Sequence, residues 1–188
     1  MSIIETPRIT PFKGDRVSFG RHESFPLRYA WLTKGFQAIE NDPRALQADD
    51  ATVQLGVGRN MVHSIRYWLR ACRIADVDKD GLIPTKLGHM LFGQNGFDRY
   101  LEDEATIWLL HWLLATNTEQ ATAWYWLFNR FHKPEFTSPE ATTALTQFLR
   151  THITAKQSVT KVKQDAAIVL RMYVQTKAAP RTPIEDAL

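Results

Sequence analysis

Two stretches of this chain carry side chains whose types and spacing could do chemistry. The first is Arg21-His22-Glu23, set between Phe19 and Phe25. An imidazole beside a carboxylate can take or give a proton, and Arg21, with Arg28 and Lys34 further on, could hold a phosphate next to the pair. In a DNA-cutting reading, His22 is the acid or base and Glu23 orients it or holds a divalent metal. The competing reading is a structural hydrogen-bond knot that ties the N-terminal segment to the helix after it. That reading is favoured, because polar clusters mark active sites only statistically.

The second stretch is DDATVQLGVGRNMVHSIRYWLRACR, residues 49–73. It reads as a short helix, a glycine turn at Gly56, and a longer helix. Ala51 and Leu55 sit four apart and can face the second helix, where Val62, Ile65 and Leu69 form an inner stripe. The outward positions are then Arg59, Asn60, His63, Arg66, Tyr67 and Arg70. Between Gly56 and Ala75 there are four arginines and no acid. This fits a helix-turn-helix, whose second helix lies in the major groove with its first residues on base edges. Arginine can grip guanine and asparagine adenine through paired hydrogen bonds, which suits Arg59 and Asn60. Arg66 and Arg70, further along, suit phosphate contacts. The alternative is a bundle helix whose arginines solvate its outer face.

Other motifs carry less. Asp76, Asp78, Asp80, Gly81 and Ile83 match the start of a calcium loop, but its closing position is Leu87 rather than glutamate, so a hairpin turn is expected. His111 lies between Leu110 and Trp112 and is expected to be a buried, hydrogen-bonded core histidine. The six histidines show no metal-binding spacing, and Gly56-Val57-Gly58 lacks the third glycine of a phosphate loop. Trp124-Tyr125-Trp126 could stack bases but falls at helical spacing, as core residues do.

The elements that must position these groups are mostly helices. A helix is expected over residues 26–40, with Gly35 weakening its middle. A two-stranded hairpin follows the glycine-turn pair, spanning residues 73–83, and Thr85 is placed to cap a short helix over 86–92. Four more helices are expected over 102–115, 119–131, 138–152 and 158–176, the third capped by Ser138 with Pro139 behind it. Helix, glycine turn, helix, hairpin is winged-helix order. The expected organisation is a mainly α chain: a winged-helix DNA-binding domain over residues 1–95 and a helical domain over 96–188.

The composition bounds the function. The 188 residues are 44% hydrophobic and 23% charged, the profile of a globular protein. The net charge is +3, and all of it lies in the first hundred residues, which hold fourteen Lys and Arg against eleven Asp and Glu. Any electrostatic footprint for nucleic acid therefore belongs to the first half. The single cysteine, Cys72, excludes a disulfide framework or a cysteine-based zinc site and reads as a small core residue. With no signal peptide and no apolar run of membrane length, a cytoplasmic location is expected.

The stretches FGRHESFPLRYAWLTKGF, LGVGRNMVHSIRYWLRA and FDRYLEDEATIWLLHWLL resemble a bacterial family whose genes accompany DNA phosphorothioate-modification systems. The family includes SspB-type DNA-nicking components, and the likeness covers most of residues 12–175. It implies double-stranded DNA as partner, a role in modification and defence, and work alongside a cysteine desulfurase and a sulfur-transfer ATPase. Family members are longer, which implies that this is an N-terminal piece with a further segment beyond Leu188. No catalytic residue is carried over. The resulting expectation is a DNA-binding component of such a system, with nicking open. No cofactor is expected within the chain apart from a divalent metal if DNA is cut. The alternative is a transcription regulator that binds its operator as a homodimer without enzymatic activity.

Overall fold

The computed structural model describes residues 11–174. Helix α1 (Tyr29–Asn41) buries Trp31, Leu32, Phe36 and Ile39. It starts three residues after the expected position. Residues 25–28 stay outside the helix, where Phe25 packs edge-on against Trp31 and Leu27 joins the core, leaving extended Arg28 as the N-cap. Gly35 has a clear use. A Cβ there would meet Ile65 Cγ2 at 2.5 Å and Leu69 Cδ1 at 2.9 Å, so its absence allows α1 to lie close against the helix carrying Ile65.

That partner is α3 (Arg59–Ala71), preceded by a short 3₁₀ turn at Ala45–Gln47 and by α2 (Ala51–Leu55). Gly56 sits between α2 and α3 at φ 64°, ψ 35°, a left-handed conformation that glycine enters without steric cost. Ala51, Leu55, Val62, Ile65 and Leu69 are all buried, so the inner stripe is as expected. Strands β1 (Ala75–Asp78) and β2 (Gly81–Pro84) form an antiparallel hairpin with Asp76 opposite Ile83, as the sequence led us to expect for this stretch. Thr85 caps α4 (Lys86–Phe92), its hydroxyl oxygen accepting from the Gly88 N–H at 3.0 Å.

The second half holds α5 (Glu104–Ala115), α6 (Thr122–Asn129), α7 (Ser138–His152) and α8 (Val159–Tyr173). α5 starts two residues late because the Asp103 side chain accepts from the Ala105 N–H and so makes Asp103 the N-cap. The cap of α7 is Thr137 rather than Ser138. Its hydroxyl accepts from the Glu140 N–H while the Glu140 carboxylate accepts from the Thr137 N–H, a reciprocal capping box. The expected extension of α8 to 176, and the loop around Pro180 and Pro183, fall outside the described residues. The described residues are thus mainly helical with one small sheet. No helix among the described residues is long and apolar enough to cross a membrane.

Contacts run across the expected boundary at 95/96. Asn117 donates to the Ala71 carbonyl at 2.9 Å, and Arg73 donates to the Thr116 carbonyl at 3.1 Å. Trp68 of α3 and Trp124 of α6, both fully buried, meet edge to face with centroids 5.3 Å apart. The N-terminal segment straps the two halves together. Phe12 stacks on Tyr125, the Ser18 N–H donates to the Thr122 hydroxyl, and Thr154 N–H donates to the Gly14 carbonyl. In the Trp124–Trp126 triplet, Trp124 and Trp126 are core and Tyr125 is half-buried. His111 is half-buried, with Nδ1 2.9 Å from the Tyr173 hydroxyl, and burial lowers its pKa.

Candidate nucleic-acid interface

Helix α3 has three kinds of position. Its stripe of Val62, Ile65 and Leu69 is core. Arg59, Asn60 and His63 project at its N-terminal end and are exposed. Arg66 and Arg70, two turns and three turns on, are half-buried in a cleft. Tyr67, expected on the outer face, is only 7% exposed. A helix packed on one side would leave residue 67 in water. Here the loop after α5 covers that flank, and the Tyr67 hydroxyl donates to the Gln120 carbonyl at 2.9 Å. Burial, with the nearby Asp165 carboxylate and Cys72, pushes its pKa well up.

The cleft has a volume of about 590 Å³ and lies between α3 and the turn around residues 15–23. Arg21 and Glu23 enter it from that turn, and His63, Arg66 and Arg70 from α3. Glu23 (φ 48°) and Ser24 (φ 64°) are both left-handed, an uncommon conformation for residues with a side chain. They turn the chain sharply between His22 and Phe25, whose N–H donates back to the His22 carbonyl. Arg70 has its pKa lowered, first by burial and then by the neighbouring Arg66 and Arg21 guanidinium groups, with Asp76 acting in the opposite direction. It remains a cation at neutral pH.

His22 is separated from Glu23. It is completely buried, its Nε2 3.0 Å from Asp165 Oδ1 on α8 and its Nδ1 accepting from the Ser24 N–H at 3.1 Å. Those two bonds set the tautomer: Nε2 carries the proton. The ring stacks on Trp68 and meets Tyr67 and Trp124 edge-on. Asp165 Oδ1 also accepts from the Gly20 N–H at 2.7 Å. Burial raises the Asp165 pKa, and the hydrogen bond from His22 opposes that rise. The histidine therefore joins the N-terminal turn to α8, beneath the floor of the cleft.

The remaining sequence-derived candidates lie elsewhere. Arg28 has its guanidinium over the Trp31 ring at 5.2 Å, and Lys34 is exposed on α1; neither lines the cleft. Sequence reasoning passed over Arg16 and Glu119, which line the cleft, and Asp165 below it. Asp165 had a legible signal. It falls in phase with Val162, Ala166 and Val169, the buried face of α8, where a lone acid needs a partner. Beside the hairpin a second hollow of about 570 Å³ is lined by Arg44, Arg66 and Lys79, so Arg66 borders both. The hairpin tip is acidic on balance, with Asp78 and Asp80 flanking Lys79 and with Asp80 paired to Arg44 at 3.2 Å. The carboxylates of the cleft are not grouped as ligands of one ion. Among the described residues no three His, Cys, Asp or Glu side chains converge in that way.

Residues 19–188 match the family described as "Protein of unknown function (DUF4007)". The chain belongs to the DUF4007 family. Among solved structures it is similar to the crystal structure of SspB, at 31% identity and a TM-score of 0.79, with 91% of this chain and 53% of that chain covered. It is also similar to magnesium-ion-bound SspB, at 32% identity and a TM-score of 0.77, covering 91% and 52% of the two chains. This DUF4007 chain thus spans about half the length of the SspB chains it matches. No curated protein matches it.

Proposed function

We propose that this chain is the DNA-binding part of a phosphorothioation-type DNA modification and defence system. In this reading α2, Gly56, α3 and the hairpin act as a winged helix-turn-helix on duplex DNA. The observation that carries it is the N-terminal end of α3, where Arg59, Asn60 and His63 stand exposed without an acid on the helix. Arg59 and Asn60 reach base edges in the major groove, and Arg66 holds a phosphate beside them. The acidic hairpin tip keeps the wing off the phosphates, so α3 carries most of the electrostatic attraction. The likeness to SspB and the motifs shared with phosphorothioation-associated proteins support the system context. On that basis the partners are a cysteine desulfurase and a sulfur-transfer ATPase, and the setting is the cytoplasm. Nicking, in this reading, does not pass through His22, which has no exposed surface and both ring nitrogens engaged. It would draw on Glu23 or on parts of a longer protein.

Binding of labelled duplexes by the parent and by single variants tests the reading. Arg59→Ala and Asn60→Ala should each cost about 1–3 kcal/mol and relax preference at one base. Arg66→Ala should weaken all sequences alike and reduce the salt slope by about one. Parent-like binding by all three variants would refute the assignment.

A further inference from the structure

Arg21, Arg66 and Arg70 form an arrangement of which duplex binding by the start of α3 uses only Arg66. Arg66 and Arg70 lie one turn apart on α3, and the left-handed turn at Glu23 and Ser24 helps bring Arg21 to the same cleft. Among the described residues, none of these three guanidinium groups has a carboxylate within ion-pair distance. Arg16 and Arg44, by contrast, are paired with Glu119 and Asp80. Asp76 and the carboxylates of the cleft lie near them without pairing directly, so the mutual repulsion of the three is only partly relieved, and a bound anion would offset the rest. Backbone strain beside the cluster is a further mark of a functional site.

The surroundings select the kind of anion. Asp15, Glu23 and Glu119 line the same cleft, so a long polyanion pressed along it meets three carboxylates. A compact dianion seated between the arginines meets mainly guanidinium donors, which suit phosphate oxygens. An internal phosphodiester carries one charge, whereas a phosphomonoester carries about two at neutral pH. The cleft of about 590 Å³ has room for such a group together with its nucleotide. Arg59 and Arg70 are eleven residues apart on one helix, which places the first base-reading residue about 16 Å from the far end of the cleft, with His63 and Arg66 between them. We infer that the cleft between α3 and residues 15–23 is a receptor for a terminal phosphomonoester, the phosphate at a DNA strand end or nick. This inference rests on the duplex-binding reading for its ligand's source.

The test uses the full chain and a fluorescent DNA dumbbell with no ends, in three forms: intact, nicked with a terminal phosphate, and nicked with only hydroxyl groups. Anisotropy should show the phosphate nick, in its 5′ or its 3′ version, bound about tenfold more tightly than the hydroxyl nick. Arg21→Gln and Arg70→Gln should each reduce that preference to about twofold. Arg21 is exposed, so its variant is a fair test even if Arg70→Gln melts early. Inorganic phosphate at millimolar concentration should compete away only the preference. Equal affinity for phosphate and hydroxyl nicks in both versions, with the intact dumbbell still bound, would overturn this inference and leave the duplex reading standing. A retained phosphate preference with no affinity for the intact dumbbell would uphold the cleft and sink the duplex reading. Competition by dAMP as strong as by the nicked DNA would overturn the strand-end assignment in favour of a free nucleotide.

Discussion

Replacing His22 with alanine should cost this protein much of its stability. The imidazole is completely buried, donates to Asp165 Oδ1 at 3.0 Å, and accepts from the Ser24 N–H. Removing it leaves the Asp165 carboxylate under cover with only the Gly20 N–H at 2.7 Å, and opens a cavity against Trp68 and Trp124. Leaving a buried carboxylate short of a donor and opening a ring-sized cavity together cost about 3–5 kcal/mol. Asp165→Asn is the milder change, because the amide oxygen can still accept from Gly20 and from Nε2–H; about 1–2 kcal/mol is expected. Urea unfolding followed by tryptophan fluorescence gives both values, and an unchanged m-value makes the comparison valid. For a chain of this size the alanine variant should melt roughly 6–20 °C lower. A His22→Ala variant within about 1 kcal/mol of the parent would refute the structural role. If Asp165→Asn were the more damaging of the two, the neutral-histidine assignment would fail and a buried ion pair would replace it.

Gly35→Ala should destabilise by about 1–3 kcal/mol although alanine is the better helix former, because the added Cβ would meet Ile65 and Leu69; a thermal melt decides, and a more stable variant would mean that α1 can move off α3. Glu140, held by Lys133 and by the Thr137 N–H and hydroxyl, has its pKa depressed from 4.5 to about 2. A depressed carboxylate stabilises the fold above its unfolded pKa and loses that contribution as pH falls, so the stability gap between the parent and Glu140→Gln should be full above pH 4.5 and close towards about pH 2. A gap that does not change with pH would disprove the capping-box charge contribution.

Features legible in the sequence were those that local geometry encodes. The stripe of Val62, Ile65 and Leu69, the turn at Gly56 and the Thr85 cap all depend on spacings of three or four residues or on one residue's φ. The hairpin was legible for the same reason, since its two strands are joined by a turn of two residues. Exact helix starts were less so. At α1 and α7 the ends were set by a packed aromatic and by a capping threonine adjacent to the expected serine.

What only the tertiary structure decided are contacts between residues far apart in the chain. His22 and Asp165 are 143 positions apart, and no local pattern pairs them. Adjacent residues His22 and Glu23 looked like one cluster, yet the turn sends the first into the core and the second to the cleft. Tyr67 was assigned to the outside on helical phase alone, which knows one covered face and not the loop around Gln120 that covers a second. Gly35 read as a flaw in its helix until the facing side chains of α3 gave it a purpose. Arg21 joins Arg66 and Arg70 because the N-terminal strap folds back across both halves. Composition and periodicity set which faces are apolar, but which face meets which is settled by long-range packing, where the charges that make the cleft are brought together.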